Sequence, residues 1–284
     1  MKWKMDTAVK IDHLKVALLA VSAIAISGIA HAQELSVQPR VSLGYQSYTF
    51  DLALEDNELF ESDVTYLFGG LGASVQVGRF FVDLYGQTNL TEGEDDSDFA
   101  DLGVATREDT VNRYEVNLTA GYAITNQLSA FTGLKYANTE IDEDIFDNDT
   151  NGDLLNADNK LEMNYYGPFA GASYAIPVQP LYGSIVLTGS VAYLLGNVDF
   201  ESVVVDNVNA VVTEVEADDD GTSIGYNVGV AWAGGLGSLV PGLEPFSYTL
   251  GVDYSKYEFE LEDDNEDFFD EETLRGRVDL KYRF

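Results

Sequence analysis

The 284-residue chain contains no cysteine, which excludes both disulfides and thiolate chemistry. Its two histidines, His13 and His31, fall within the first 32 residues. Everything after them lacks an imidazole, the usual group for proton transfer near neutral pH and for transition-metal ligation. Proline is scarce at 6 residues, and 15 Lys and Arg stand against 49 Asp and Glu, for a net charge of −34. So acidic a chain is unsuited to nucleic acid, whose phosphates need a basic surface. Past residue 32 no stretch has the roughly 18 continuous apolar residues of a transmembrane helix. If that part of the chain enters a membrane, strands must take it there.

The first 32 residues have their own logic. Lys2, Lys4, Lys10 and Lys15 precede an apolar stretch from Val16 to Ile29, and Ala30-His31-Ala32 then supplies small residues around a cleavage point before Gln33. The spacing predicts a cleaved secretory signal peptide over 1–32 and a mature domain over 33–284. The leader holds 4 of the basic and 2 of the acidic residues, so the mature chain keeps 11 and 47, a net charge of −36.

The mature region alternates between apolar and small or polar residues, segment after segment, which predicts an all-β chain. Tyr114, Val116, Leu118, Ala120, Tyr122 and Ile124 share one face of a strand, against Arg113, Glu115, Asn117, Thr119, Gly121 and Ala123. Ile224 to Trp232 and Phe246 to Tyr254 repeat the pattern. Ten strands are expected, near 37–52, 64–77, 80–90, 110–124, 128–140, 161–176, 182–198, 222–233, 245–259 and 273–284. Their connections alternate: Val77-Gly78-Arg79 and Thr125-Asn126-Gln127 are tight turns, whereas 53–63, 91–109, 141–160, 199–221 and 260–272 read as long loops. With their strand margins, these long connections hold 39 of the 47 mature acids. One end of the assembly is therefore acidic, a sorting that a uniformly acidic soluble protein has no reason to show.

Aromatic residues give a length. Tyr114 and Tyr122, like Tyr166 and Tyr174, are eight residues apart, which on tilted strands places them roughly 19 Å apart along the barrel axis, at the two borders of an apolar band about 25 Å tall. In the last strand, apolar Val278, Leu280, Tyr282 and Phe284 alternate with charged Arg275, Arg277, Asp279, Lys281 and Arg283. Closing the chain on an outward aromatic resembles the assembly signal of bacterial outer-membrane β-barrels. That resemblance implies a closed, antiparallel, up-and-down transmembrane β-barrel of about ten strands, small and single-chain like the porin-like outer-membrane proteins. It further implies outer-membrane lipid and the barrel-assembly machinery as partners, extracellular long loops and periplasmic termini. A secreted acidic β-sandwich is the competing fold. The acidity itself fits either a function or adaptation to a salty habitat.

Two sets of residues carry candidate chemistry. Asp147, Asp149, Asn151, Asp153 and Asp158, with Gly152 at the turn, resemble a calcium loop of the D-x-[DN]-x-[DN]-G type. The loop departs from the pattern at its twelfth place, where Asp158 replaces the usual Glu; the other reading is a solvated, turn-rich acidic loop. On the lumen face, pairing Phe246 with Phe284 would set Asp253 opposite Arg277 and Ser255 opposite Arg275, while a tight 124–128 turn puts Glu115 diagonal to Lys135. These charges read either as internal ion pairs sealing a narrow bore or as the lining of a pore. Lumen glycines at 121, 133, 171, 225, 229 and 251 would leave room for water. No cofactor other than calcium is indicated. Without histidine, and with carboxylates mostly in solvated surroundings, no enzyme is expected. The expectation is a structural or surface-interaction barrel that attracts divalent cations; the alternative is a narrow cation-selective diffusion channel.

Overall fold

The computed structural model describes residues 35–54, 57–98, 105–147, 155–178, 183–206, 211–261 and 268–284. The expected signal peptide and its cleavage point lie outside the described residues. Among these the strands are β1 (Leu35–Leu54), β2 (Asn57–Val77), β3 (Phe80–Asn89), β4 (Gly93–Asp98), β5 (Ala105–Ala123) and β6 (Leu128–Asp147), followed by β7 (Leu155–Val178), β8 (Gly183–Asp206), β9 (Val211–Gly235), β10 (Phe246–Leu261) and β11 (Phe268–Tyr282). Neighbours in sequence pair antiparallel, and β1 closes on β11 from Arg40↔Lys281 to Ala53↔Phe268. β3 and β4 both lie on β5, the first up to Thr88↔Tyr114 and the second from Gly93↔Val111. They are two pieces of one stave, broken at 90–92, and the closed wall has ten staves.

Turn chemistry holds one rim together. Gly78 takes φ 60°, a left-handed conformation suited to glycine, between β2 and β3. The β5–β6 turn is clasped by Ile124 N–H donating to the Leu128 carbonyl at 2.9 Å, and by the Leu128 N–H on Thr125 Oγ1 at 2.9 Å.

At the other rim the strands outrun the sequence expectation. Segments read as long loops are largely paired backbone: β6 and β7 stay in register up to Phe146↔Asn156, and β8 and β9 up to Asp206↔Val211. High charge density suggested loops, yet charge does not forbid a strand whose outer face meets water. The period of two persists there, with Ile141 and Glu143 buried and Asp142 and Asp144 exposed. Beyond Tyr193, β8 continues for about 40 Å of strand.

Candidate functional site

The two faces of the wall differ sharply. Outside, Val41, Leu43, Leu118, Leu134, Leu187, Val228, Val230, Leu250, Val252, Val278 and Leu280 stand open, each between 43% and 58% exposed. Aromatic rings border this band. Tyr114, Tyr136, Tyr166, Tyr226 and Tyr254 mark its upper edge, with the Tyr114 and Tyr136 hydroxyls 3.1 Å apart. Phe80, Tyr122, Trp232, Tyr248, Phe246 and Tyr282 mark the edge beside the short turns, where Trp232 Nε1 donates to Tyr248 Oη at 3.1 Å. A continuous apolar girdle of this extent around a closed wall is stable only against hydrocarbon, with rings at its borders and polar groups inside. The fold is that of an outer-membrane β-barrel. The outward placement expected for Val278, Leu280 and Tyr282 holds; Phe284 lies just past the strand, its N–H on the Val37 carbonyl and its ring against Tyr282.

No family model matches this barrel, and no curated protein does. Solved structures similar in shape include the outer-membrane protease OmpT from Escherichia coli, at 11% identity and TM-score 0.48 over 91% of this chain and 99% of that one. The translocator domain of the autotransporter NalP from Neisseria meningitidis follows, at 10% identity and TM-score 0.39, covering 98% of this chain and 97% of that. Ail, the attachment invasion locus protein of Yersinia pestis, has 13% identity and TM-score 0.31 over 87% and 99%. These likenesses transfer no activity.

The bore is filled. In its upper half Tyr48, Phe50, Val64, Tyr66, Phe68, Ile141, Leu161, Met163, Leu194, Phe259 and Phe269 form one buried cluster, with Phe259 and Phe269 stacked at 4.2 Å. Below it lies an ionic layer. Arg113, 5% exposed, donates through Nη2 to Glu271 Oε1 at 2.6 Å and through Nη1 to Thr139 at 2.7 Å. Tyr165 Oη, also a partner of Arg113, donates to the same carboxylate at 2.8 Å. Lys135 Nζ reaches Glu115 at 3.1 Å and Tyr257 Oη at 2.9 Å, as the expected diagonal Glu115–Lys135 placement required.

The last hairpin is offset by two residues from the sequence expectation. Phe246 pairs with Tyr282, so Asp253 faces Arg275 and Ser255 faces Thr273, while Arg277 lies opposite Gly251. The offset arises because β11 ends at Tyr282 and leaves Arg283 and Phe284 beyond the ladder. Asp253 still serves both arginines, at 3.2 Å to Arg275 Nε and 3.6 Å to Arg277 Nη1.

Several lumen glycines also differ from expectation. A Cβ on Gly121 would fall inside the Phe81 ring, one on Gly133 against Phe169, one on Gly171 against Phe131, and one on Gly225 against Tyr257. These glycines seat inward rings from neighbouring strands, where a missing side chain lets the aromatic lie flat on the wall. Four of the six positions read as water space are aromatic sockets.

Spacing places Arg113 on the inward face beside Glu115, but its partners Glu271, Tyr165 and Tyr48 are not marked in the sequence. Glu271 lay in a stretch taken for loop, although it shares the parity of Arg275 and Arg277 and so points inward.

Of the calcium motif, Asp147 ends β6, and Asp149, Asn151 and Asp153 lie outside the described residues. Asp158 is in β7, opposite Asp144, and 156–157 also pair with β6. The motif is therefore not one continuous loop, because its final residues are drawn into the ladder. Above the tyrosine border, acids line up across strands on the outer wall: Asp144 and Asp158 face one another, and Glu140, Glu162 and Asp199 form a second row. Partial desolvation by the neighbouring wall and then Asp158 raise the Asp144 carboxyl, and partial desolvation and then Glu140 raise that of Asp142. Lys160, hydrogen-bonded to Glu140 at 3.0 Å, is raised in turn.

Proposed function

We propose that this is a non-enzymatic, non-conducting protein of the bacterial outer membrane, whose acid-bearing strand extensions face outward from the cell and engage cationic partners and divalent ions. The observation that supports it is the contrast between the two ends of the wall: a bore filled by rings and paired charges, and an upper rim carrying most of the acids. The summed field of that rim concentrates cations at the surface whether or not anything passes through. Its short turns and both termini then lie on the periplasmic side, and the closing strand is what the barrel-assembly machinery takes up.

Single-channel recording in planar bilayers tests this. The purified barrel is expected to give no stable current steps in potassium chloride. Reproducible steps selective for cations would overturn the reading in favour of a narrow diffusion channel.

Calcium binding rests on the motif, with Asp147, Asp149, Asn151 and Asp153 as ligands and Asp158 held aside in the ladder. Asp144 and Asp158 face one another across it; partial desolvation, and then the charge of Asp158, raise the Asp144 carboxyl, and a divalent ion nearby would relieve the repulsive part. Millimolar calcium is expected to raise the melting temperature of the folded barrel, and Asp147→Ala with Asp149→Ala to abolish the rise. A melting curve indifferent to calcium would remove calcium from the account. Acid acts the same way: with folded carboxyls above their ordinary value, the repulsion is fully present above that folded pKa and fades as pH falls through it.

A further inference from the structure

Between the ionic layer and the short-turn rim the lumen widens into a half-open cavity of about 220 Å³, far more than one water needs. Its two sides are unlike. One carries Arg275 and Arg277 on β11 with Asp253 beside them; the other, four and five staves away around the ten-stave wall, carries Phe169 and Phe131.

The charges on this level do not cancel. Arg40, Lys135, Arg275, Arg277 and Lys281 stand against Asp83, Glu115, Asp253 and Asp279. Asp83 is held by Arg40 at 2.8 Å, Glu115 by Lys135 at 3.1 Å, and Asp253 by Arg275 at 3.2 Å. Asp279 accepts from Ser42 Oγ at 2.6 Å. Arg277 has only long approaches to carboxylates, 3.6 Å to Asp253 Oδ1, an oxygen that itself lacks a hydrogen bond, and 3.8 Å to Asp279. Its Nε makes no hydrogen bond, as is also true of Arg275, but its side chain is 31% exposed against 7% for Arg275. In a chain of net charge −34, an under-partnered guanidinium facing a sheltered cavity is a local reversal of sign.

We propose that this chamber binds a small organic carboxylate that enters from the short-turn side, its charged end forked by Arg277 and its apolar end against Phe131 and Phe169. Arginine matches a carboxylate with two parallel N–H donors, and a low-dielectric wall strengthens the pair. The filled bore above makes the chamber a dead end, so the ligand binds and is released on one side. The site stands apart from the surface role proposed above, and neither depends on the other.

Benzoate is a suitable probe, titrated calorimetrically into the full barrel in detergent. One saturable site per barrel is expected, weakened about tenfold in Arg277→Gln, since about 1.4 kcal/mol separates a charged bidentate contact from a neutral one. Arg277→Lys, which keeps the charge and loses the fork, is expected to fall between the two, and serves alone if Arg277→Gln does not fold. Folding of each variant is read from heat-modifiable migration. Absence of saturable heat, or equal affinity in the wild type and a folded Arg277 variant, would overturn the proposal.

Discussion

Glu271→Ala is expected to destabilise the barrel by about 3–5 kcal/mol, the cost of stranding a buried charge without its partner. Glu271 is fully buried and accepts from Arg113 and Tyr165, with Tyr48 Oη at 3.5 Å. Once it is gone, the nearest remaining carboxylate to Arg113 is Glu115 at 3.9 Å, which Lys135 already holds. The guanidinium would sit among the rings of Tyr48 and Tyr165, 5.1 and 5.5 Å from their centroids, with only that shared carboxylate near it. Replacing both members, Arg113→Leu with Glu271→Leu, removes the stranded charge and should recover most of the loss. Urea unfolding from lipid vesicles reads all three variants. Glu272→Ala is the control: its pairing with Lys256 at 3.2 Å lies on the outer wall above the tyrosines and is partly solvated, so it is worth at most about 1 kcal/mol. If Glu271→Ala behaves like that control, the ionic layer does not hold the bore shut.

The wall was legible in the sequence because a strand in a membrane barrel must satisfy two solvents at once, and alternation records both. The outward row Val116, Leu118 and Ala120 and the inward row Glu115, Asn117 and Thr119 are read directly from spacing, as is the diagonal contact of Glu115 with Lys135. Register was less accessible. It depends on where β11 stops, and nothing in Tyr282-Arg283-Phe284 marks the third-last residue, Tyr282, as the end of the strand. The upper strand extensions were hidden for a different reason. Above the membrane both faces of a hairpin are free to carry charge, so Asp142, Asp144 and Asp158 lose the contrast that betrays a strand within it. The plug was hidden most deeply. Gly133 and Phe169 are 36 residues apart, and only pairing of β6 with β7 shows that one is the socket for the other. The calcium motif shows the opposite error: local spacing suggested a loop, and long-range pairing took its last residues into a strand.

Leu250→Arg is expected to cost about 2–4 kcal/mol of folding free energy in a bilayer, the penalty for a guanidinium near the middle of a barrel's lipid face. Leu250 is 47% exposed and lies between Tyr248 and Tyr254, rings about 20 Å of strand apart. Because the side chain points away from the bore, substitution opens no cavity and displaces no packed neighbour. The cost can then arise only from the medium outside the wall, which makes this position a probe of that medium. Glu258→Arg, on the same face of β10 but above Tyr254, should change stability by no more than about 0.5 kcal/mol. A depth series along β10 separates lipid from water: Leu250 and Val252 costly, Tyr254 intermediate, Glu258 neutral, measured as urea midpoints in vesicles of matched thickness. Equal effects at Leu250 and Glu258 would mean that the girdle does not face hydrocarbon. In a stacked sandwich Val228 and Leu250 would be buried between layers, and arginine there would fail in water as well as in lipid. A cost present in the bilayer and graded with depth is the signature of a cylinder whose outside is its apolar side.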